Sequence, residues 1–118
     1  MAMHPEEFLR KAAEARRRVT EIEREAVEQQ VRQGAVLIDV RDEEEFNAGH
    51  IGGATHVPRD ALGERIAEVV PDKQTPIVAY CGGGNRGALG ADILQDLGYE
   101  DVMSIAGGMA NYKAQSEK

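Results

Sequence analysis

Three short runs of nearly unbroken apolar residues constrain this chain more than any other feature. They are AVLIDV at 35–40, IVAY at 77–80 and VMSI at 102–105. Such runs are what strands buried on both faces of a parallel sheet look like. Stretches of helical character lie between them. Residues 86–97 carry apolar side chains at 89, 93, 94 and 97, and Gly98 suits the position just past a helix end. Asp60 is placed to cap a helix running to about Val70, after a short strand at 54–57 that ends at Pro58. Residues 42–46, DEEEF, read as a short helix with an acidic first turn. Gly107-Gly108 leads into a last short helix around residues 109–114. Strands alternating with helices predict an α/β fold, a three-layer sandwich whose mostly parallel central sheet has about five strands flanked by helices.

The first 34 residues allow two readings. Pro5 followed by Glu6 and Glu7 starts a helix. That helix either continues to about Arg32 or breaks near Val19-Thr20-Glu21-Ile22. The β-branched residues at 19, 20 and 22 favour a break into a short strand, followed by a helix at about 24–33 that Gly34 closes. An apolar stripe at 8, 12, 15, 19, 22 and 26 has formal heptad spacing. It spans under three heptads and is rich in alanine, so docking on its own domain is the preferred reading. Residues 1–18 are then an N-terminal helical extension, and 19–118 the folded domain.

The segment YCGGGNRGA at 80–88 carries the chemistry. It joins the C-terminal end of a buried strand to a helix N-terminus, the edge of an open α/β sheet where ligands bind. Consecutive glycines let successive N–H groups turn into one concavity, an anion-binding nest. The helix adds its positive end and Arg86 a cation. The same features lower the pKa of a thiol, so Cys81 is expected to be substantially thiolate at neutral pH. A lone cysteine after an apolar strand is more often a small buried hydrophobe. Here the glycines, the arginine and the strand–loop–helix setting occur together. A phosphate loop of the G-x-x-x-x-G-K-[ST] type is excluded, because the segment has no lysine.

Composition narrows the function classes. The 118 residues suit one domain. Residues 1–34 balance seven Lys/Arg against seven Glu, so the net charge of −7 falls wholly on 35–118. An acidic surface argues against nucleic acid and anionic membranes as partners. A single cysteine permits no internal disulfide and suits a reducing compartment. The N-terminus lacks a signal-peptide stretch, and no apolar run nears ~20 residues. The expected location is the cytoplasm. His4, His50 and His56 show no metal-ligand spacing, so neither a metal nor a cofactor is expected.

Residues 36–58, VLIDVRDEEEFNAGHIGGATHVP, resemble the first signature of the rhodanese-like family. The Cys81 loop matches the family's active-site loop. LGYEDV at 97–102 and AGGM at 106–109 resemble its C-terminal signature. The likeness covers about 19–114 and favours the broken N-terminus, because the family usually has a short strand and helix before the Asp-Val-Arg strand. It implies a sulfurtransferase. Cys81 would take sulfur from thiosulfate or a thiol persulfide and pass it to cyanide or a thiol through a Cys81 persulfide. Gly82, Gly83, Gly84, Asn85, Arg86 and Gly87 would hold the sulfur anion. The implied partners are small sulfur donors and acceptors, including a thiol or a thioredoxin-like protein, and the implied state is a monomer or weak homodimer. A non-catalytic binding or sulfur-carrier module is the alternative. Related phosphatases of this fold use Cys-x5-Arg, whereas four residues separate Cys81 from Arg86 here, which suits a smaller anion.

Departures from the family pattern are also legible. The loop interior is Gly-Gly-Gly-Asn, with few side-chain donors and no second cation, and Tyr112 stands where Trp is usual. Persulfide formation is therefore a firmer expectation than efficient thiosulfate turnover. Asp39 and Arg41 are expected to tie neighbouring loops together, His50 to satisfy backbone groups in a turn, and Arg59 is a candidate substitute cation.

Overall fold

The computed structural model describes residues 4–116. Helix α1 (Pro5–Arg18) stops where β-branched residues begin, and Val19 is already extended at φ −115°, ψ 139°. Strand β1 (Thr20–Ile22) follows, then α2 (Arg24–Arg32), β2 (Val36–Asp39), α3 (Glu43–Ala48) and β3 (Thr55–His56). A 3-10 turn (Arg59–Ala61) precedes α4 (Leu62–Val69). The chain ends with β4 (Ile77–Tyr80), α5 (Asn85–Asp96), β5 (Val102–Ile105) and α6 (Gly108–Ser116).

The five strands form one parallel sheet in the order β1-β5-β4-β2-β3. The predicted α/β sandwich with a five-stranded sheet is therefore the observed fold, and the broken reading of the N-terminus holds. β1 is held by its ladder to β5, with Ile22 opposite Ile105. Two details differ from expectation. Asp60 does not cap α4; it lies in the 3-10 turn, and Ala61 takes the cap position. The third strand spans two residues rather than four, and Val57 and Arg59 beyond it still donate their N–H groups to the carbonyls of Asp39 and Val40.

The sheet separates two apolar layers. Ile38, Val57, Leu62, Ile77, Ala91 and Leu94 fill one face with α4 and α5. Val27, Leu37, Val78, Tyr80, Met103 and Ile105 fill the other with α2 and α6. Burying each of the Val, Leu, Ile and Met side chains contributes about 1.5–3 kcal/mol. The central strands β4 and β5 are buried at every residue, as their unbroken apolar runs require.

Helix α1 packs on α5. Ala12 and Ala15 are fully buried in that contact, and their small side chains let the helices approach closely. The Arg18 guanidinium then clamps Asp92 on α5, with N–O distances of 2.6–3.1 Å, and Gln95 Nε2 donates to the Arg18 carbonyl at 3.0 Å.

Candidate functional site

Strand β4 lies in the middle of the sheet, so the loop after it opens at the centre of the C-terminal edge. Cys81 leaves the strand and is 2% exposed. The chain then turns over its own sulfur: the Gly84 N–H donates to Cys81 Sγ at 3.0 Å. This turn needs φ +108° at Gly84, a left-handed conformation that L side chains rarely adopt. Gly84 is also the N-cap of α5, so the free N–H groups of the helix's first turn begin at Asn85.

A second element shapes the loop from outside. Met109 and Ala110, at the start of α6, donate their N–H groups to the carbonyls of Cys81 (2.7 Å) and Gly82 (3.1 Å). In a trans peptide the C=O and N–H point in opposite directions. Anchoring those two carbonyls on α6 therefore turns the N–H groups of Gly82 and Gly83 away from it. The approach is close enough that a Cβ on Gly108 would stand 2.6 Å from both carbonyl oxygens.

The predicted loop residues assemble as one unit. Gly83 is exposed at the tip, Gly82, Asn85 and Arg86 are half-buried, and Gly87 is buried against the backbone of Tyr80 and Cys81. Arg86 does not stand free as a cation. Its Nη1 and Nη2 donate to Oε1 and Oε2 of Glu45 on α3, at 2.7 and 2.9 Å. The hydrogen-bonded guanidinium holds the Glu45 carboxyl down at about 2, and the carboxylate raises Arg86 in turn. Glu45 was visible only as one acid of a helix's first turn, since nothing in the sequence joins residues 41 positions apart. A second basic residue also reaches the loop. Arg16 Nη2, from α1, lies 2.8 Å from where a Cβ on Gly84 would be.

The remaining singled-out residues build the frame. Asp39 and Arg41 are both buried and form a fork-shaped ion pair (2.8–3.1 Å); Arg41 Nη2 also donates to the Gly49 carbonyl at 2.6 Å. The pair ties the strand to the next loop, as expected, and the carboxylate raises Arg41 further. The Tyr80 hydroxyl accepts the Ile51 N–H at 3.0 Å, and burial pushes its pKa up. His50 stacks on Phe46 (centroids 3.8 Å apart) and donates from Nδ1 to the Phe46 carbonyl at 2.9 Å. His56 donates from Nε2 to the Arg41 carbonyl at 2.6 Å. Arg59, the candidate substitute cation, has its guanidinium over the Phe8 ring at 5.6 Å and its Nε 3.8 Å from Asp60 Oδ1. Among the described residues no three His, Cys, Asp or Glu side chains could hold a metal ion, and no helix is long and apolar enough to cross a membrane.

Comparison with known proteins places this architecture. The rhodanese-like domain family model matches residues 23–115. Thiosulfate sulfurtransferase GlpE of Pseudomonas putida is 36% identical over 90 residues, which are 76% of this chain and 80% of that one. GlpE of Tolumonas auensis is 38% identical over 77 residues, 65% and 71% of the two chains. Among solved structures, a thiosulfate sulfurtransferase from Pseudomonas aeruginosa superposes with a TM-score of 0.79 at 27% identity over 89% of this chain, which spans 21% of that longer protein. A Rhodopseudomonas palustris protein described as a "Possible Tyrosine Phosphatase" gives 0.78 at 25% identity and covers 98% of this chain and 96% of its own. The family model spans most of the chain and the parallel five-stranded sheet superposes on these structures, so the chain belongs to the rhodanese-like family.

Proposed function

We propose that this protein is a single-domain sulfurtransferase that carries sulfane sulfur on Cys81. The observation that carries the reading is the Gly84 N–H held 3.0 Å from Cys81 Sγ, within a six-residue loop that ends at a helix N-terminus. In this reaction the Cys81 thiolate attacks the outer sulfur of thiosulfate. A new S–S bond forms, the bond to the SO3 group breaks, and sulfite leaves with the electron pair. Cys81 is left as a persulfide anion. A nucleophilic acceptor, cyanide or a thiol, then attacks the outer sulfur and releases the Cys81 thiolate, a ping-pong cycle. The Gly84 N–H and the first-turn amides of α5 supply donors for the anion at each stage.

The relatives named thiosulfate sulfurtransferase support this assignment. The phosphatase description of one structural neighbour does not carry over. Four residues separate Cys81 from Arg86, and Arg86 already holds a carboxylate through both terminal nitrogens. A thiol or a thioredoxin-like protein fits the acceptor role, and the lone cysteine fits a reducing compartment such as the cytoplasm.

The test is intact-mass measurement after incubation with thiosulfate, followed by cyanide. The expected result is a gain of one sulfur that cyanide removes as thiocyanate and that Cys81→Ser abolishes. No gain from thiosulfate or from a thiol persulfide would leave a non-catalytic binding module as the reading.

A further inference from the structure

The loop lacks a free cation of its own. Its only basic side chain, Arg86, is neutralised as a pair with Glu45. Thiosulfate is a dianion, so by the loop residues alone it would meet N–H groups but no net positive side chain. The missing charge stands beside the loop on a different element. Arg16 Nη2 lies 2.8 Å from the Cβ position of Gly84, the residue whose N–H holds Cys81 Sγ.

Three observations set Arg16 apart from the other basic residues. Its guanidinium has only a loose ion pair, Nε to Glu21 at 3.4 Å, and that Nε is buried with no hydrogen-bond partner. Its side chain is 36% exposed although Nε is buried, so part of it meets solvent. Its backbone is fixed: Ala15 is fully buried against α5, and Arg18 clamps Asp92 two residues on. Helix side chains lean toward their own N-terminus, and α1 runs with its N-terminal end toward the catalytic edge, where Phe8 meets Arg59. Arg16 therefore reaches up toward the loop. Glycine at 84 is what admits it, since any side chain there would occupy the space of Nη2.

We propose that Arg16 is a substrate-binding residue of this site: α1 delivers the second cation for an anionic sulfur donor, in the space that the glycines leave open. The N-terminal helix is on this view part of the active site, and the all-glycine loop is matched to it. The inference rests on the sulfurtransferase reading for the identity of the anion, but not for its binding.

The test compares full-length wild type with Arg16→Gln, Arg16→Met and Arg16→Lys, and with Arg17→Gln as a control for net charge on an exposed neighbour. Two readouts are used. One is steady-state thiosulfate:cyanide kinetics. The other is protection of Cys81 from iodoacetamide, a neutral reagent, by sulfate as an inert dianion. A charged hydrogen bond lost from a bound anion predicts roughly a tenfold or greater rise in KM for thiosulfate in the Gln and Met variants, with kcat changed far less. Sulfate protection should weaken by a similar factor. Lys should recover part of both, and Arg17→Gln should match wild type. Unchanged KM and unchanged protection in a folded Arg16→Gln or Arg16→Met would overturn the proposal. So would an equal fall in kcat that Lys does not rescue, which marks a purely structural contact. Loss of sulfate protection without any persulfide in wild type would uphold the anion site and refute the sulfurtransferase reading.

Discussion

Replacing Gly108 by alanine tests how the loop is held. Two costs arise there. Gly108 has φ +66°, and a residue with a Cβ in the left-handed region loses about 1–2 kcal/mol. The new Cβ would also stand 2.6 Å from the carbonyl oxygens of Cys81 and Gly82, both backbone atoms that no rotamer can move. Relieving that overlap means shifting α6 off the loop, at a further cost of about 1–3 kcal/mol by analogy with overpacked cores. The sum is about 2–5 kcal/mol. For a domain of 118 residues that lowers Tm by roughly 4 °C per kcal/mol, or about 8–20 °C. Gly53 is the internal control. Its φ is +87°, and a Cβ there would meet nothing within 4 Å, so Gly53→Ala carries the first cost alone, about 1–2 kcal/mol. Urea unfolding of the two variants isolates the steric part as their difference. Because the shift also breaks the Met109 and Ala110 hydrogen bonds, Gly108→Ala should lose sulfur-transfer rate beyond its effect on stability. Equal destabilisation by the two substitutions, within about 0.5 kcal/mol, would refute the claim that α6 is seated directly on the Cys81 loop.

The Glu45–Arg86 pair makes a pH prediction. Glu45 is depressed from 4.5 to about 2, so its stabilisation is fully present above about pH 4.5 and is lost as pH falls through about 2. Its side chain is 37% exposed, so the stability difference between wild type and Glu45→Gln should stay below about 1 kcal/mol. Acid titration of both by circular dichroism should show that difference constant down to about pH 4.5 and vanishing near pH 2; a difference already gone at pH 4.5 would contradict the pairing. For α1, Ala15→Leu should destabilise by about 1–3 kcal/mol in thermal unfolding, because the fully buried Ala15 leaves no room against α5. An unchanged Tm would show that α1 does not dock there.

The sequence by itself determined the layers and the place of the Cys81 loop between a strand and a helix. Apolar runs at 36–39, 77–80 and 102–105 can be satisfied only by burial on both faces, and they form β2, β4 and β5. Cys81 and its glycines had to lie between a buried strand and a helix, because apolar periodicity changes from continuous to helical across them. Local signals also broke the N-terminus at Val19, where β-branched residues outweigh the heptad spacing. They misjudged Asp60, because a good capping residue does not choose its own helix start; the 3-10 turn imposed by the exit from β3 does. What only the tertiary structure decided is the wiring between distant segments. Glu45 and Arg86 are 41 residues apart, Gly108 meets Cys81 across 27, and Arg16 meets Gly84 across 68. A parallel sheet brings such residues to one edge because every crossover returns the chain to the same end. Sequence spacing within a single element carries no trace of which crossover lands beside which.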